Sequence, residues 1–354
     1  SEMSRIKDFN VTYEAISEDH AFSEGDTIVG TVNFRLTKDV KVKSVFVKAK
    51  GDSIVKWTES CYCAIPSRTI WTYKFNHISF AGTSLPQGAH TFKFRLKIPE
   101  GNMPSSFQGK HGKIVYVVEA KISRSWHLPS AVQKEIKFVS KAFLNTPQVM
   151  CPQSSSVSKD VGVFSKGQVQ MSATISRGVC FPGETLSVVA KICNSSSKHT
   201  SPKFKLEQNT VYRSKYHTKN SLIILFKEVG ETISPNSERT VSCQLKIPDD
   251  AISTIHNCEI ISVEYYIKVL NNFLVTSHPL RNKTAFFVNI THNNNSLQVS
   301  QSLTVSQVYL DISFAVDPEV VLSLVIVPSR FAAIQPGEAV GAYPPGKRHQ
   351  NETL

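Results

Sequence analysis

The 354-residue sequence is short of several things. No stretch approaches the ~18 consecutive apolar residues that a membrane-spanning helix needs. The opening Ser1-Glu2-Met3-Ser4-Arg5 has none of the apolar run of a secretory signal, so no leader is expected. Cysteine is sparse, with seven residues at 61, 63, 151, 180, 193, 243 and 258, too irregularly spaced for a disulfide framework. An odd count without a signal points to reduced thiols in an intracellular chain. Charged residues make up only 19%, too few for a coiled coil, and hydrophobic ones reach 41%, too many for disorder. Long segments of helical periodicity are missing too. At ~100–200 residues per domain, the length favours two domains.

Catalytic signatures are also absent. There is no Gly-x-Ser-x-Gly, no His-Glu-x-x-His, no phosphate loop and no Gly-x-Gly-x-x-Gly. Cys61-Tyr62-Cys63 has no second pair at ligand spacing, so no metal site is expected. His77, His90, His111 and His127 fall in or beside turns and form no visible nucleophile–base pair. No enzyme activity and no cofactor are expected.

What is there is period two. Phe92, Phe94, Leu96 and Ile98 alternate with Thr91, Lys93, Arg95 and Lys97, and Ile28, Val32, Phe34 and Leu36 with Thr27, Thr31, Asn33 and Arg35. Val169, Met171, Ala173 and Ile175, and then Val241, Cys243, Leu245 and Ile247, repeat the pattern in the second half. Side chains alternate faces along a strand, so each run buries one face and wets the other. Turns such as Ser23-Glu24-Gly25-Asp26, Pro99-Glu100-Gly101-Asn102 and Pro182-Gly183-Glu184 separate the runs. This pattern describes an all-β chain of sandwiches.

The halves echo one another. Phe22-Ser23-Glu24-Gly25-Asp26-Thr27 resembles Phe181-Pro182-Gly183-Glu184-Thr185 at an offset of 158, and Leu96-Lys97-Ile98-Pro99 recurs as Leu245-Lys246-Ile247-Pro248 at 149. After each Leu-Lys-Ile-Pro come a loop and a strand, 114–122 and 261–269. Two sandwiches of one plan are the economical reading. The linker is expected where Pro147, Pro152 and Ser154-Ser155-Ser156 interrupt the strand pattern.

Charge is uneven. The net charge is +12, with 21 Lys and Arg against 13 Asp and Glu in residues 1–150 and 19 against 15 beyond. Such an excess favours an anionic partner: a membrane surface, a phosphorylated peptide or nucleic acid.

Lys56-Trp57-Thr58-Glu59 and the run from Phe107-Gln108-Gly109-Lys110-His111-Gly112-Lys113 to Trp126 carry a resemblance. With Ser23–Asp26, Asn145-Thr146-Pro147, Phe181–Glu184 and Val263-Glu264-Tyr265-Tyr266, they resemble the α-arrestin (arrestin-domain-containing) family over roughly residues 5–328. The resemblance implies two tandem immunoglobulin-like sandwiches of the arrestin type, 5–146 and 165–328, joined by a linker at 147–164. It leaves 329–354 as a disordered tail. It also implies a non-catalytic adaptor at the cytoplasmic face of plasma membrane and endosomes. Such adaptors hold the cytoplasmic tails of membrane receptors or transporters and recruit HECT-type ubiquitin ligases through Pro-Pro-x-Tyr.

Two features depart from the family. The tail reads Ala342-Tyr343-Pro344-Pro345-Gly346-Lys347, and no Pro-Pro-x-Tyr occurs anywhere. In addition, removing 270–308, which holds seven asparagines, joins Val269 to Tyr309 in a family-like hairpin. We read that segment as an in-frame insertion, as from unspliced sequence; the alternative is a genuine hairpin excursion with extra strands.

In arrestins generally, basic residues of the first strand and nearby loops receive acidic or phosphorylated tails. Carried to this sequence, that role falls on Arg5, Lys7, Lys110, Lys113 and Arg124. Trp57 and Trp126 are expected to pack inside. Two other functions compete: a retromer-like coat subunit, and a nucleic-acid-binding pair of immunoglobulin-like domains. The second needs Arg-rich loops, whereas the cations here are mostly lysines spread along strands, so no nucleic acid is expected.

Overall fold

A computed structural model of the protein describes residues 5–17, 19–57, 67–142, 151–160, 167–273 and 317–332, with only the backbone considered over 67–83. Among these residues there is no α-helix. In the first sandwich, one sheet runs β1 (Ile6–Tyr13), β3 (Thr27–Leu36), β6 (Gly88–Lys97). The facing sheet runs β2 (Ala21–Phe22), β9 (His127–Phe138), β8 (Gly112–Arg124), β4 (Val40–Trp57), β5 (Ser67–Leu85), with β7 (Phe107–Gln108) also on β8. The second sandwich has a sheet of β10 (Gln153–Asp160), β11 (Gln168–Ile175), β13 (Thr185–Asn194) and β16 (Ser237–Lys246). Facing it are β12 (Val179–Cys180), β18 (Glu319–Ile326), β17 (Ile261–Phe273), β14 (Thr200–Arg213) and β15 (Thr218–Val229).

The expected alternation is the burial pattern. Ile28, Val32, Phe34 and Leu36 are buried on β3 beside Phe94 and Leu96 of β6, in one core cluster with Val45, Val47 and Ile122 of the other sheet. Val169, Met171, Ala173 and Ile175 do the same on β11. At ~25 cal/mol per Å² of apolar surface removed from water, these inward rows are the main stabilising term.

The repeat seen in sequence recurs bond for bond. Gly25 and Gly183 both adopt a left-handed backbone, at φ 82° and 85°. Ser23 N donates to the Asp26 carboxylate at 2.7 Å, as Phe181 N does to that of Glu184 at 3.0 Å. Ile98 N donates to Asp26 O and Ile247 N to Glu184 O, each at 2.8 Å. Short β2 and β12 then run parallel to the last strand of their sandwich, β9 and β18. Tyr116 donates its hydroxyl proton to Pro104 O at 2.6 Å, and Tyr265 matches it on Ile252 O at 2.5 Å. One turn chemistry therefore closes both domains.

Several expectations are corrected. Gln153–Asp160, inside the stretch expected to be linker, is a strand paired with β11 along its length. It is an exposed edge strand, so it needs no apolar row, and its Ser154-Ser155-Ser156 carried no strand signal. Strand β17 continues through Leu270–Phe273, paired with Thr200–Lys203, so the first residues read as inserted belong to the sheet. The rest of 270–308 lies outside the described residues. Ser329–Phe331, assigned to the tail, forms a 3-10 turn that buries Phe331 against Ala21, Val139, Val179 and Val327. Trp57 is buried as expected, but Trp126 is fully exposed, because it occupies a left-handed position (φ 61°) at the β8–β9 turn and has no sheet behind it.

The two turn glycines give a paired prediction. A side chain at a left-handed position costs ~1–2 kcal/mol, so Gly25→Ala and Gly183→Ala should each destabilise the chain by that amount in urea unfolding. Gly101→Ala, where an added Cβ meets nothing, should be close to neutral and serves as the control.

Candidate functional site

The outer face of the β1-β3-β6 sheet carries the clearest concentration of unneutralised charge. Register places Lys7 opposite Arg35, Lys93 opposite Thr31, Arg95 opposite Val29 and Lys97 opposite Thr27. All five cations are exposed, because burial of Ile28, Val32, Phe34, Phe94 and Leu96 forces the alternate positions outward. A ladder of uncharged polar residues runs among the cations. Thr12 and Thr31 share a hydrogen bond of 2.8 Å, Asn33 donates to Asn10 at 3.2 Å and to Thr31 at 3.1 Å, and Thr91 donates to Asn33 at 2.9 Å. Among the described residues no salt bridge neutralises any of the five cations. From Thr27 to Arg35 the face spans about 27 Å, the length of eight extended residues.

The five residues expected to receive phosphate are split by the fold. Arg5 and Lys7 stand at the start of β1, where Thr37 N donates to Arg5 O at 3.1 Å. Arg124 ends β8, and its guanidinium is turned into the hairpin, donating to Leu128 O and Ser130 Oγ, each at 3.4 Å. Lys113 begins the same strand, about 37 Å away at the rise of a β-strand. Sequence distance hid this separation, since one straight strand carries both. Arg35, Lys93, Arg95 and Lys97, not among the residues expected from sequence, share this face with Lys7; their signal was the outward half of the alternation already read for the core.

Lys110 lies where the domains meet. The Tyr212 hydroxyl lies against the backbone of the Gly109-Lys110-His111 loop, and the His111 ring stands edge-on to Tyr212 at 5.4 Å. Nearby, Cys258 Sγ donates to Ser53 Oγ at 3.4 Å and Asn257 to Asn102 at 3.1 Å. Asp19 and Arg330 add an ion pair at 3.8 Å between the two sandwiches. The Gly-Lys-His-Gly loop is therefore a domain-joining element in this structure.

Two buried thiols among the described residues are held protonated. Burial pushes the Cys180 thiol up, and burial with the nearby Glu228 carboxylate takes Cys243 up to about 12, so neither supplies thiolate at neutral pH. A small cleft between the domains is lined by Ser105, Ser140, Thr254, His256 and Asn257. Among the described residues no three His, Cys, Asp or Glu side chains gather as metal ligands. Cys61 and Cys63 lie outside them. No described helix is long and apolar enough to cross a membrane.

Comparison with known proteins agrees with the fold. The family description "Arrestin (or S-antigen), N-terminal domain" matches residues 9–145, and that of the C-terminal domain matches 165–295. Arrestin domain-containing protein 4 of Homo sapiens is 28% identical over 282 residues, covering 75% of this chain and 67% of its own. Its Mus musculus counterpart is 29% identical over 282 residues, with 75% and 68% covered. Thioredoxin-interacting protein of Homo sapiens is 25% identical over 233 residues, with 61% and 57% covered. The chain belongs to the arrestin family.

The domain junction has a pH signature. Desolvation, then Lys219 and Lys110, hold the His111 imidazole below its ordinary 6.5, so the folded state resists its protonation. As pH falls through 6.5 the unfolded chain takes up that proton first, and stability drops until the folded value is passed. His111→Gln should remove this share of the acid destabilisation, read as a smaller loss of melting temperature between neutral and mildly acidic buffer.

Proposed function

We propose that this arrestin-family chain is a non-catalytic adaptor that binds acidic or phosphorylated cytoplasmic tails of membrane receptors or transporters and carries them into endocytic sorting. The observation that carries the reading is the set of unneutralised cations, Lys7, Arg35, Lys93, Arg95 and Lys97, held in fixed register on one sheet face. A phosphate offers three strong acceptor oxygens and about two charges, and an N–H donor to an anion makes a short, strong bond. An extended tail fits the span, and β1, an edge strand, adds backbone groups for strand addition. Arg5 extends the Lys7 end, while Lys110, Lys113 and Arg124 reach a tail only if it continues around the domain.

Residence at the plasma membrane and endosomes, and delivery of cargo to HECT-type ubiquitin ligases, complete the proposal. The 354 residues hold no Pro-Pro-x-Tyr, so the ligase part of the proposal rests on the family and not on a motif in these residues. The family membership supports the adaptor role over a nucleic-acid-binding protein, and so does the face: lysines and arginines stand on flat strands, not on loops able to enter a groove.

The test is a titration of paired tail peptides, plain and phosphorylated, by calorimetry. Phosphorylated peptide should bind at least tenfold tighter, with affinity falling as salt rises. Arg95→Glu combined with Lys93→Glu should remove most of that gain, at roughly tenfold per contact for a charged hydrogen bond. Equal affinity for the two peptides overturns the phosphate role.

A further inference from the structure

At the far end of the first sandwich the β8–β9 hairpin breaks the rule by which the rest of the domain hides its apolar groups. Trp126 has a relative exposure of 102% and Leu128 of 87%, the two highest among the exposed large apolar residues described. They sit on a tight turn in which Arg124 pairs with His127. The turn is held, not loose: Arg124 braces it by donating to Leu128 O and Ser130 Oγ, and His127 Nδ1 lies 2.9 Å from Ser125 O. A left-handed backbone at Trp126, costly for a bulky residue, fixes the indole outward.

Cations surround the tip. Val42 of β4 pairs with Arg124, so Lys41 and Lys43 flank the root of the hairpin, both exposed. Lys38 lies in the turn before β4, and Arg5 is tied to the same turn through Thr37. Asp39, whose carboxylate accepts from Gln87 N, is the acidic residue among them.

Magnitudes decide what such a tip fits. An aromatic ring buries 150–250 Å², so Trp126 and Leu128 together offer no more than ~400 Å². A specific protein interface needs ~1,200 Å² or more, and a narrow convex turn does not provide it. A bilayer surface asks for less: a small apolar wedge at headgroup depth, tryptophan above all, with basic residues facing anionic lipid. We propose that Trp126 and Leu128 form a membrane-inserting tip, and that Lys38, Lys41 and Lys43 hold it against anionic headgroups. The ligand is the surface of an anionic bilayer. This goes beyond tail binding and rests on different residues from the β1-β3-β6 face.

The experiment uses the full chain with vesicles of phosphatidylcholine alone and with about one-third phosphatidylserine. Sedimentation should show binding to the phosphatidylserine vesicles and little to the neutral ones. Brominated acyl chains should quench the wild-type fluorescence, and Trp126→Phe should abolish that quenching while leaving the signal of Trp57 and Trp71. Trp126→Ser with Leu128→Ser should weaken vesicle binding about tenfold or more, as should Lys41→Glu with Lys43→Glu. Melting temperatures unchanged from wild type confirm that the exposed substitutions leave the fold intact. Vesicle binding that is equal in the Ser variant, quenching that survives Trp126→Phe, or a folded chain that ignores both vesicles overturns the proposal. The phosphopeptide titration on the Ser variant should be unaltered, so failure of the tip and failure of the tail-binding face are read separately.

Discussion

Strands β3 and β6 bury one face and wet the other, and the charged surface of this molecule follows from that constraint. Once Ile28, Val32, Phe34, Phe94 and Leu96 are committed to the core, the intervening residues have no choice of side. A one-residue slip would exchange the two sets, exposing the apolar row and burying Arg35, Lys93 and Arg95 without partners. Unpaired charge in a core costs several kcal/mol per ion, so the register is enforced from both directions. The cations are therefore displayed by the same energy that folds the domain.

How much of this was legible follows from where the information sits. Alternation is local, so the strands around Ile28, Phe94, Val169 and Leu245 were readable from residues two apart. The turn repeat was readable because left-handed backbone favours glycine, and Gly25 and Gly183 mark the place in both halves. Strand β10 was not readable: it is an edge strand whose inward face puts only Val157 against the core, too little for an apolar row, and its serines look like a linker. Trp126 was misjudged because an aromatic residue beside a strand end is usually packed, and only its backbone conformation turns it out. The candidate site was half-visible. Lys7 was named, but its cross-strand partner Arg35 and the row Lys93, Arg95 and Lys97 belong together through pairing of β1, β3 and β6, which is a property of topology and not of any one segment.

The arrangement on that face also has an energetic meaning. Lys93, Arg95 and Lys97 follow one another on a single side of β6 at about 6.6 Å, and Lys7 faces Arg35 across strands at about 5 Å. In water such neighbours repel by a little over half a kcal/mol each before screening, and salt reduces that further. The repulsion is small enough for a domain with large cores to tolerate, yet it is a penalty that any single Lys-to-Glu exchange would relieve. Elsewhere the chain uses that remedy: Lys48 pairs with Glu119 at 3.0 Å, Lys191 with Glu238 at 2.9 Å, and Lys268 with Glu207 and Glu319 at 3.1 and 3.2 Å. The β1-β3-β6 face keeps its charges unneutralised beside strands that show how readily they are neutralised. An anion bound there, as the proposed tail binding requires, would remove the repulsion and gain the hydrogen bonds at once, so that the cost carried by the free protein would become part of the affinity of that complex.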